Sequence, residues 1–257
     1  MTFEAPQKGN PRRLTVNQHT FPSASIARFA GARGSVQVFH KRTQKVIPVK
    51  PKDQFFCAQR VWDQKAETGF MKGVEDAFQE LAGEILSGKI HRFGASEAEV
   101  INEFYCLWNI RARHKQFRIA DQSLADYGAL AVAREYTKDE QEIMELEGIG
   151  CIRPDLTMAS RLLVAPTIRL NLSDSVQMLR GALWQVLRAR EGAGEFIVPD
   201  NFYKLWAVPL SPTVCLWAHS KETNKMLDRA ALAVINRDAV ETSLEYYFAR
   251  DLSQCPR

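Results

Sequence analysis

Hydrophobic positions recur along this chain in two periods, and the longest stretches follow the helical one. Over 67–86, Val74, Phe78, Leu81, Ala82 and Ile85 share one face, which predicts a helix closed at Gly88. Ser96, with Glu99 three residues on as a capping box, opens a second long helix to about Phe117, striped by Val100, Phe104, Leu107 and Trp108. A third is predicted from Ser173 or Asp174 through Arg190, with Val176, Leu179, Leu183 and Leu187 in register. Shorter helical patterns cover 22–29, 121–134, 136–148 and 155–164, and the acidic 136–148 stretch is expected on the surface. Residues 222–250 read as two helices interrupted at Asn236.

The two-residue period is rarer. Val36–Phe39 and Val46–Val49, joined by Lys41–Lys45, predict a basic two-stranded ribbon, and Pro48 marks its second strand as an edge. Glu195–Val198, Ala207–Leu210 and Thr213–Trp217 read as further strands, with the Pro199-Asp200-Asn201 turn at the mouth of a small sheet. Long helices outnumber short strands. The expected class is α+β: a predominantly helical single domain over 16–251, with a small antiparallel sheet and an N-terminal β-ribbon. Residues 1–15 are expected as a flexible leader and 252–257 as a tail.

Composition narrows the setting. At 257 residues, 46% hydrophobic and 25% charged, the chain can bury a full core. Five scattered cysteines form no CxxC pair, against a disulfide framework or zinc ribbon and for a reducing compartment. No secretory h-region and no run of about 18 apolar residues is present, so no membrane association and a cytoplasmic location are expected. The net charge of +4 conceals an asymmetry: residues 1–60 carry +9 and the remainder −5. A basic N-terminal third with Arg28, Arg33, Lys41, Arg42 and Lys45 suits a phosphate backbone, although solvated loop charge explains it equally.

Candidate chemistry is sparse. No GxxxxGK[ST], HExxH, GxSxG or helix-opening GxGxxG occurs. His19 stands just before the Pro22 helix start, where an imidazole can act as base, ligand or acceptor, or simply bond the loop backbone. Arg111 continues the Phe104–Leu107 stripe and is expected to point inward, where it requires a carboxylate or phosphate. Glu67 and Glu75 lie about two turns apart on one helix.

Five segments together resemble the bacterial and phage-borne domain-of-unknown-function 4238 family. QHTFPSASIARFA is similar to its opening His-x-x-Pro-x-x-x-Leu-x-x-Phe, with Ile26 at the Leu place and Phe29 at the Phe. The helix with Glu67 and Glu75 is similar to its Glu-rich helix. FYCLWNIRARHKQFR resembles its Phe-x-x-x-Gln-x-x-Arg helix, with Arg111 as the Arg and Trp108 in place of Gln. EFIVPDNFYKLWAVPLSP resembles its Phe-[Ile/Val]-Thr-Ser-Asp-Asn-Pro turn and Pro-Leu-Ser-Pro, matching at Asp200 and Asn201 and departing at Pro199 and Phe202. VINRDAVETSLEYYFARD resembles its closing helix, with Asn236 as the Asn. The resemblance covers about residues 16–251. It implies one domain and gathers His19, Arg111, Asp200 and Asn201 into one constellation.

Two functions stay open on these residues. In the first, His19, Glu75, Arg111, Asp200 and Asn201 form a catalytic site for divalent-dependent phosphodiester cleavage of nucleic acid, with Mg²⁺ or Mn²⁺ as the cation. In the second, the same His/Arg/Asp/Asn network is structural, and the basic third binds nucleic acid or an acidic protein partner without catalysis.

Overall fold

The computed structural model describes residues 3–125, 134–202, 205–219 and 226–257. In chain order its elements are β1 (Asn17–His19), α1 (Ser23–Ala27), β2 (Val36–His40), β3 (Lys45–Val49), β4 (Cys57–Gln59), α2 (Gln64–Thr68), α3 (Phe70–Leu86) and α4 (Ala95–Gln116). There follow β5 (Gln122–Ser123), α5 (Lys138–Leu146), β6 (Thr157–Met158), α6 (Ser160–Met178), β7 (Leu183–Ala189) and β8 (Val198–Pro199). The chain closes with β9 (Ala207–Ser211), β10 (Val214–His219), β11 (Met226–Leu227), α7 (Arg229–Thr242) and β12 (Tyr246–Ala249).

The long helix α3 is amphipathic as its spacing requires, and α4 buries its predicted stripe together with its other faces over Phe104–Trp108. Met71, Phe78, Leu81, Ala82 and Ile85 of α3 are buried, and Phe78 lies flat on Phe104 of α4 with ring centroids 3.5 Å apart. Phe21, two residues past β1, stacks on Trp108 at 3.8 Å. Burying each such side chain contributes roughly 1.5–3 kcal/mol. These contacts join one buried apolar cluster that runs from Phe21 to Cys255. The α4 start differs from the expected cap. Gly94 stands at the N-cap, and its N–H donates to Glu97 Oε2 at 2.7 Å, so the reaching-back glutamate is Glu97 rather than Glu99.

The class is α+β, but the predominantly helical reading is corrected: helix takes 41% and strand 19%, spread over several sheets. Among the described residues there are two four-stranded sheets, ordered β3-β2-β12-β8 and β11-β7-β10-β9, and the two-stranded pairs β1-β4 and β5-β6. The N-terminal ribbon β2-β3 is thus the edge of a larger sheet, with β3 outermost, where Pro48 needs no ladder partner on its open side. The expected small antiparallel sheet keeps β9 and β10 but gains β7, antiparallel to β10, and β11, parallel to β7.

Two predicted helices are strands. Leu183–Ala189 is a strand whose residues 183–188 pair with β10, and Gly181, at φ +91°, turns the chain out of α6 just before it. Helix α6 instead runs from Ser160 to Met178 with Pro166 inside it, merging the end of one predicted helix with the start of another. Tyr246–Ala249 is buried at every position between β2 and β8. Aromatic residues buried on both faces favour a central strand over the helix their spacing suggested. Asn236 lies within α7 and does not cap it; fully buried, it bonds Ile197 N, Glu195 O and Pro256 O. The 121–134 stretch opens with the strand β5, and 126–133 of it fall outside the described residues, as do residues 222–225 of the predicted 222–250 helices.

The chain ends are held down where they are described. Gln7 donates from its backbone to Glu142 of α5 at 2.7 Å, and Arg12 pairs with Asp139 at 2.6 Å. Cys255 is buried, and Pro256 O accepts from Asn236. No helix among the described residues is long and apolar enough to cross a membrane.

Candidate functional site

Arg111 points inward, as its place on the α4 stripe demands, and is 2% exposed. Its guanidinium is fully engaged. Nη1 donates to Glu75 Oε1 of α3 and to the carbonyl of His19 at 3.3 Å. Nε faces Met71 Sδ at 3.4 Å, Nη2 stands 3.6 Å from Glu67 Oε2, and the group lies 5.3 Å from the Trp62 ring. Trp62 in turn donates Nε1–H to Glu67 at 2.5 Å. Burial pushes the Glu67 carboxyl up, with Arg111 and Trp62 pulling against it. Arg111 is thus a charge surrounded by partners drawn from α2, α3, β1 and the loop before α2; Glu67 and Glu75, expected on one helix, fall on α2 and α3 because the chain breaks at Gly69.

His19 ends β1, which pairs with β4. Its Nε2 lies 3.2 Å from the carbonyl of Pro51, an acceptor, so the ring nitrogen donates and carries the proton. Burial lowers its pKa and favours the neutral ring. His19 therefore belongs to the Arg111 cluster through its backbone, while its side chain ties down the loop after β3.

Asp200 sits elsewhere. It follows β8, in the ribbon's sheet rather than at the mouth of the β9-β10 sheet, and caps the entry to β12. Its carboxylate accepts the backbone N–H groups of Leu244 and Glu245, both at 2.7 Å, and of Tyr246 at 3.2 Å. Burial raises its pKa and the three amides oppose that rise. The neighbouring cation is Lys115, not Arg111. Lys115 donates to Phe55 O at 3.1 Å, lies over the Tyr246 ring at 5.2 Å, and is held down in pKa by burial. Asn201 borders a different hollow, a groove with Asn109, Arg113 and Phe117. The structure thus joins His19, Glu75 and Arg111 and sets Asp200 and Asn201 apart from them.

The basic candidates also divide. Lys41 donates to the carbonyls of Val240 and Ser243 at 2.7 and 2.5 Å, so it caps the C-terminal end of α7. Arg28 is half-buried and donates to Gln79 at 2.5 Å. Arg33, Arg42 and Lys45 are exposed, as are Lys50 and Lys52, and among the described residues none of the five forms a salt bridge.

A second charged cluster is absent from the sequence reading. The 136–148 helix was expected to be exposed, yet Glu142 and Glu145 are 0% and 2% exposed. Glu145 Oε2 accepts from Arg60 Nη2 at 2.5 Å and from Arg161 Nε at 2.9 Å. Glu4 receives Lys138, Arg161 and, at 2.8 Å, Arg153, which also pairs with Asp121 at 2.6 Å. Burial alone would raise the Glu4 carboxyl, but Arg161 and Lys138 bring it down to about 2. The only signal in the sequence was an inversion: Ile143, between the two glutamates, is 40% exposed. Its partners lie 16 and 85 residues away, too far for any local pattern to name them.

Among the described residues no three His, Cys, Asp or Glu side chains are grouped to hold a metal ion. The oxygens a hard cation would take are already bonded, Glu75 to Arg111 and Asp200 to three amides. The proposed catalytic set therefore does not fit Mg²⁺ or Mn²⁺, and no step is derived through one. No family model, curated protein or solved structure matches the chain.

Proposed function

We propose that this protein is a non-catalytic nucleic-acid-binding module, whose Arg111 and Asp200 networks hold the scaffold and whose β2-β3 ribbon grips phosphate. The reading rests on one observation: five exposed cations, none paired with a carboxylate among the described residues, bracket an edge strand. The register Val36↔Val49 to His40↔Lys45 sets Arg33, Lys50 and Lys52 at one end of the hairpin and Arg42 and Lys45 at the other. Five residues at about 3.3 Å each separate the two groups by roughly 17 Å, a span of several phosphates rather than one. Between them β3 exposes Val46 at 53% and Ile47 at 36%, apolar surface on which a base can rest. The phosphodiesterase reading has less support, because its five residues are split between two networks. Five free cysteines fit the cytoplasmic setting in which such a module meets nucleic acid.

Fluorescence anisotropy with labelled single-stranded DNA and RNA over a salt series tests the reading. Binding should weaken with salt at a slope of about −0.7 per phosphate contact, near −3 for four contacts. Arg42→Ala/Lys45→Ala should flatten that slope by about 1.4 without altering the fold. Absence of binding at low salt, or an unchanged slope in the double variant, would reject the ribbon as the contact.

A further inference from the structure

A cavity of about 520 Å³ opens between residues 3–4, the loop after α4 and the start of α6. Four arginines line it, Arg60, Arg118, Arg153 and Arg161, against the two carboxylates of Glu4 and Asp121. Glu145 stands behind, bridging Arg60 and Arg161. Four guanidinium groups thus converge on one half-open cavity, with Glu4, Asp121 and Glu145 as their carboxylate partners. Guanidinium forks match tetrahedral oxyanions, and a cluster of them in low dielectric costs free energy unless an anion is near.

Two of the four retain unused capacity. Arg60 is 5% exposed, and its Nε is buried with no hydrogen-bond partner. A buried donor left unmade costs about 1–3 kcal/mol. Arg118 is half-buried at the cavity and, among the described residues, forms none of the salt bridges that hold its neighbours. The carboxylate of Glu4, by contrast, receives Lys138, Arg153 and Arg161 together. Three cations converging on one carboxylate is the coordination expected of a bound dianion.

We infer that this cavity is a binding site for a phosphate dianion, inorganic or as a phosphomonoester, and that the Glu4 carboxylate occupies its anion position as an internal stand-in. The ligand enters beside Arg118 and Arg60, displaces Glu4 and takes over its bonds from Arg153, Arg161 and Lys138. The volume exceeds a phosphate, leaving room for an attached group. The site is independent of the ribbon and of any nucleic-acid binding there.

Isothermal titration of the full chain at fixed ionic strength, with inorganic phosphate and with glycerol 3-phosphate as probes, tests the assignment. Glu4→Gln removes the internal competitor and keeps a similar shape; it should bind phosphate at least tenfold more tightly than wild type. Arg118→Ala, which breaks none of the salt bridges, should weaken binding at least tenfold while melting like wild type. Tighter glycerol 3-phosphate identifies a phosphomonoester site, and tighter inorganic phosphate identifies free phosphate as the ligand. Should Glu4→Gln fail to fold alone, refolding in phosphate, read by circular dichroism, supports the site, and failure to refold overturns it. The inference is also overturned if neither wild type nor Glu4→Gln binds either probe at millimolar concentration, or if Arg118→Ala binds as wild type does.

Discussion

Two buried arginine networks sit in this molecule, and they differ in one respect. Around Arg111 the donors Nε and Nη1 are taken by Met71, the His19 carbonyl and Glu75, and Glu67 stands 3.6 Å from Nη2 of a group that is 2% exposed. Around Arg60 and Arg161 the carboxylates of Glu4 and Glu145 are each shared among several cations, the buried Arg60 Nε has no partner among the described residues, and a cavity adjoins. Burying a charge is costly in either case, so a closed network can only hold the fold. An open one carries a standing penalty that a ligand can relieve. The contrast teaches that inward-facing charge is not itself a mark of a site; unused bonding capacity beside empty space is.

The largest effects should come from breaking each network at its hub. Glu145 is the single carboxylate shared by Arg60 and Arg161, both at least nine-tenths buried. Glu145→Ala should cost about 3–5 kcal/mol, because it strands the buried Arg60 and leaves Arg161 with Glu4 alone. Arg111→Ala should cost less, about 2–3 kcal/mol, since the side chains it abandons, Glu67 and Glu75, are 17% and 24% exposed and can recover water. Urea denaturation of the two variants ranks them. The reverse order would mean that the α4 network, not the α5 network, bears the greater buried charge.

Asp200→Ala comes next and separates this fold from the constellation suggested by the sequence. An Asp200 paired with Arg111 would lose about 3–5 kcal/mol on truncation, through the stranded guanidinium. In the structure the loss falls on three backbone N–H groups, of which those of Leu244 and Glu245 belong to exposed residues. A cost of about 1–2 kcal/mol follows. Additivity of Asp200→Ala with Arg111→Ala in a double variant should hold, because the two share no partner. Measured coupling above about 0.5 kcal/mol would restore the single constellation.

What the sequence disclosed, and what it hid, follows from where each partner lies. Helices α3 and α4 and the β2-β3 ribbon were legible because one face meets water, which prints the period into the residues. Arg111 was legible for the same reason, a charge on an apolar stripe. Leu183–Ala189 and Tyr246–Ala249 misled because a strand covered on both faces has no alternation, and its leucines and aromatics fell by chance at helical spacing. Glu145 was hidden in a run of acidic residues that reads as solvated charge. Only the packing of α5 against residues 4–12 and Arg60 turns it inward. Likewise Asp200 was placed in the catalytic set with His19 and Arg111, while its amide partners lie 44 to 46 residues on.

The smallest effect tests the open network by pH. Glu4 has a folded-state pKa of about 2 against an ordinary 4.5. A carboxyl depressed in this way contributes stability that is present above about pH 4.5 and is lost as pH falls from 4.5 toward 2. Its side chain is 30% exposed, so solvent screens the cations, and the contribution is about 1 kcal/mol rather than the full shift. Asp200 and Glu67, raised by burial, act in the opposite sense over acid pH and would mask the effect in wild type alone. The difference between wild type and Glu4→Gln cancels both. That difference should shrink as pH falls through the window, because protonating Glu4 and amidating it remove the same charge from Lys138, Arg153 and Arg161. A difference that stays constant from pH 6 to pH 3 would mean that Glu4 holds its segment by packing. The arginine cluster would then owe nothing to the Glu4 carboxylate, and the contrast with the closed network around Arg111 would lose its electrostatic basis.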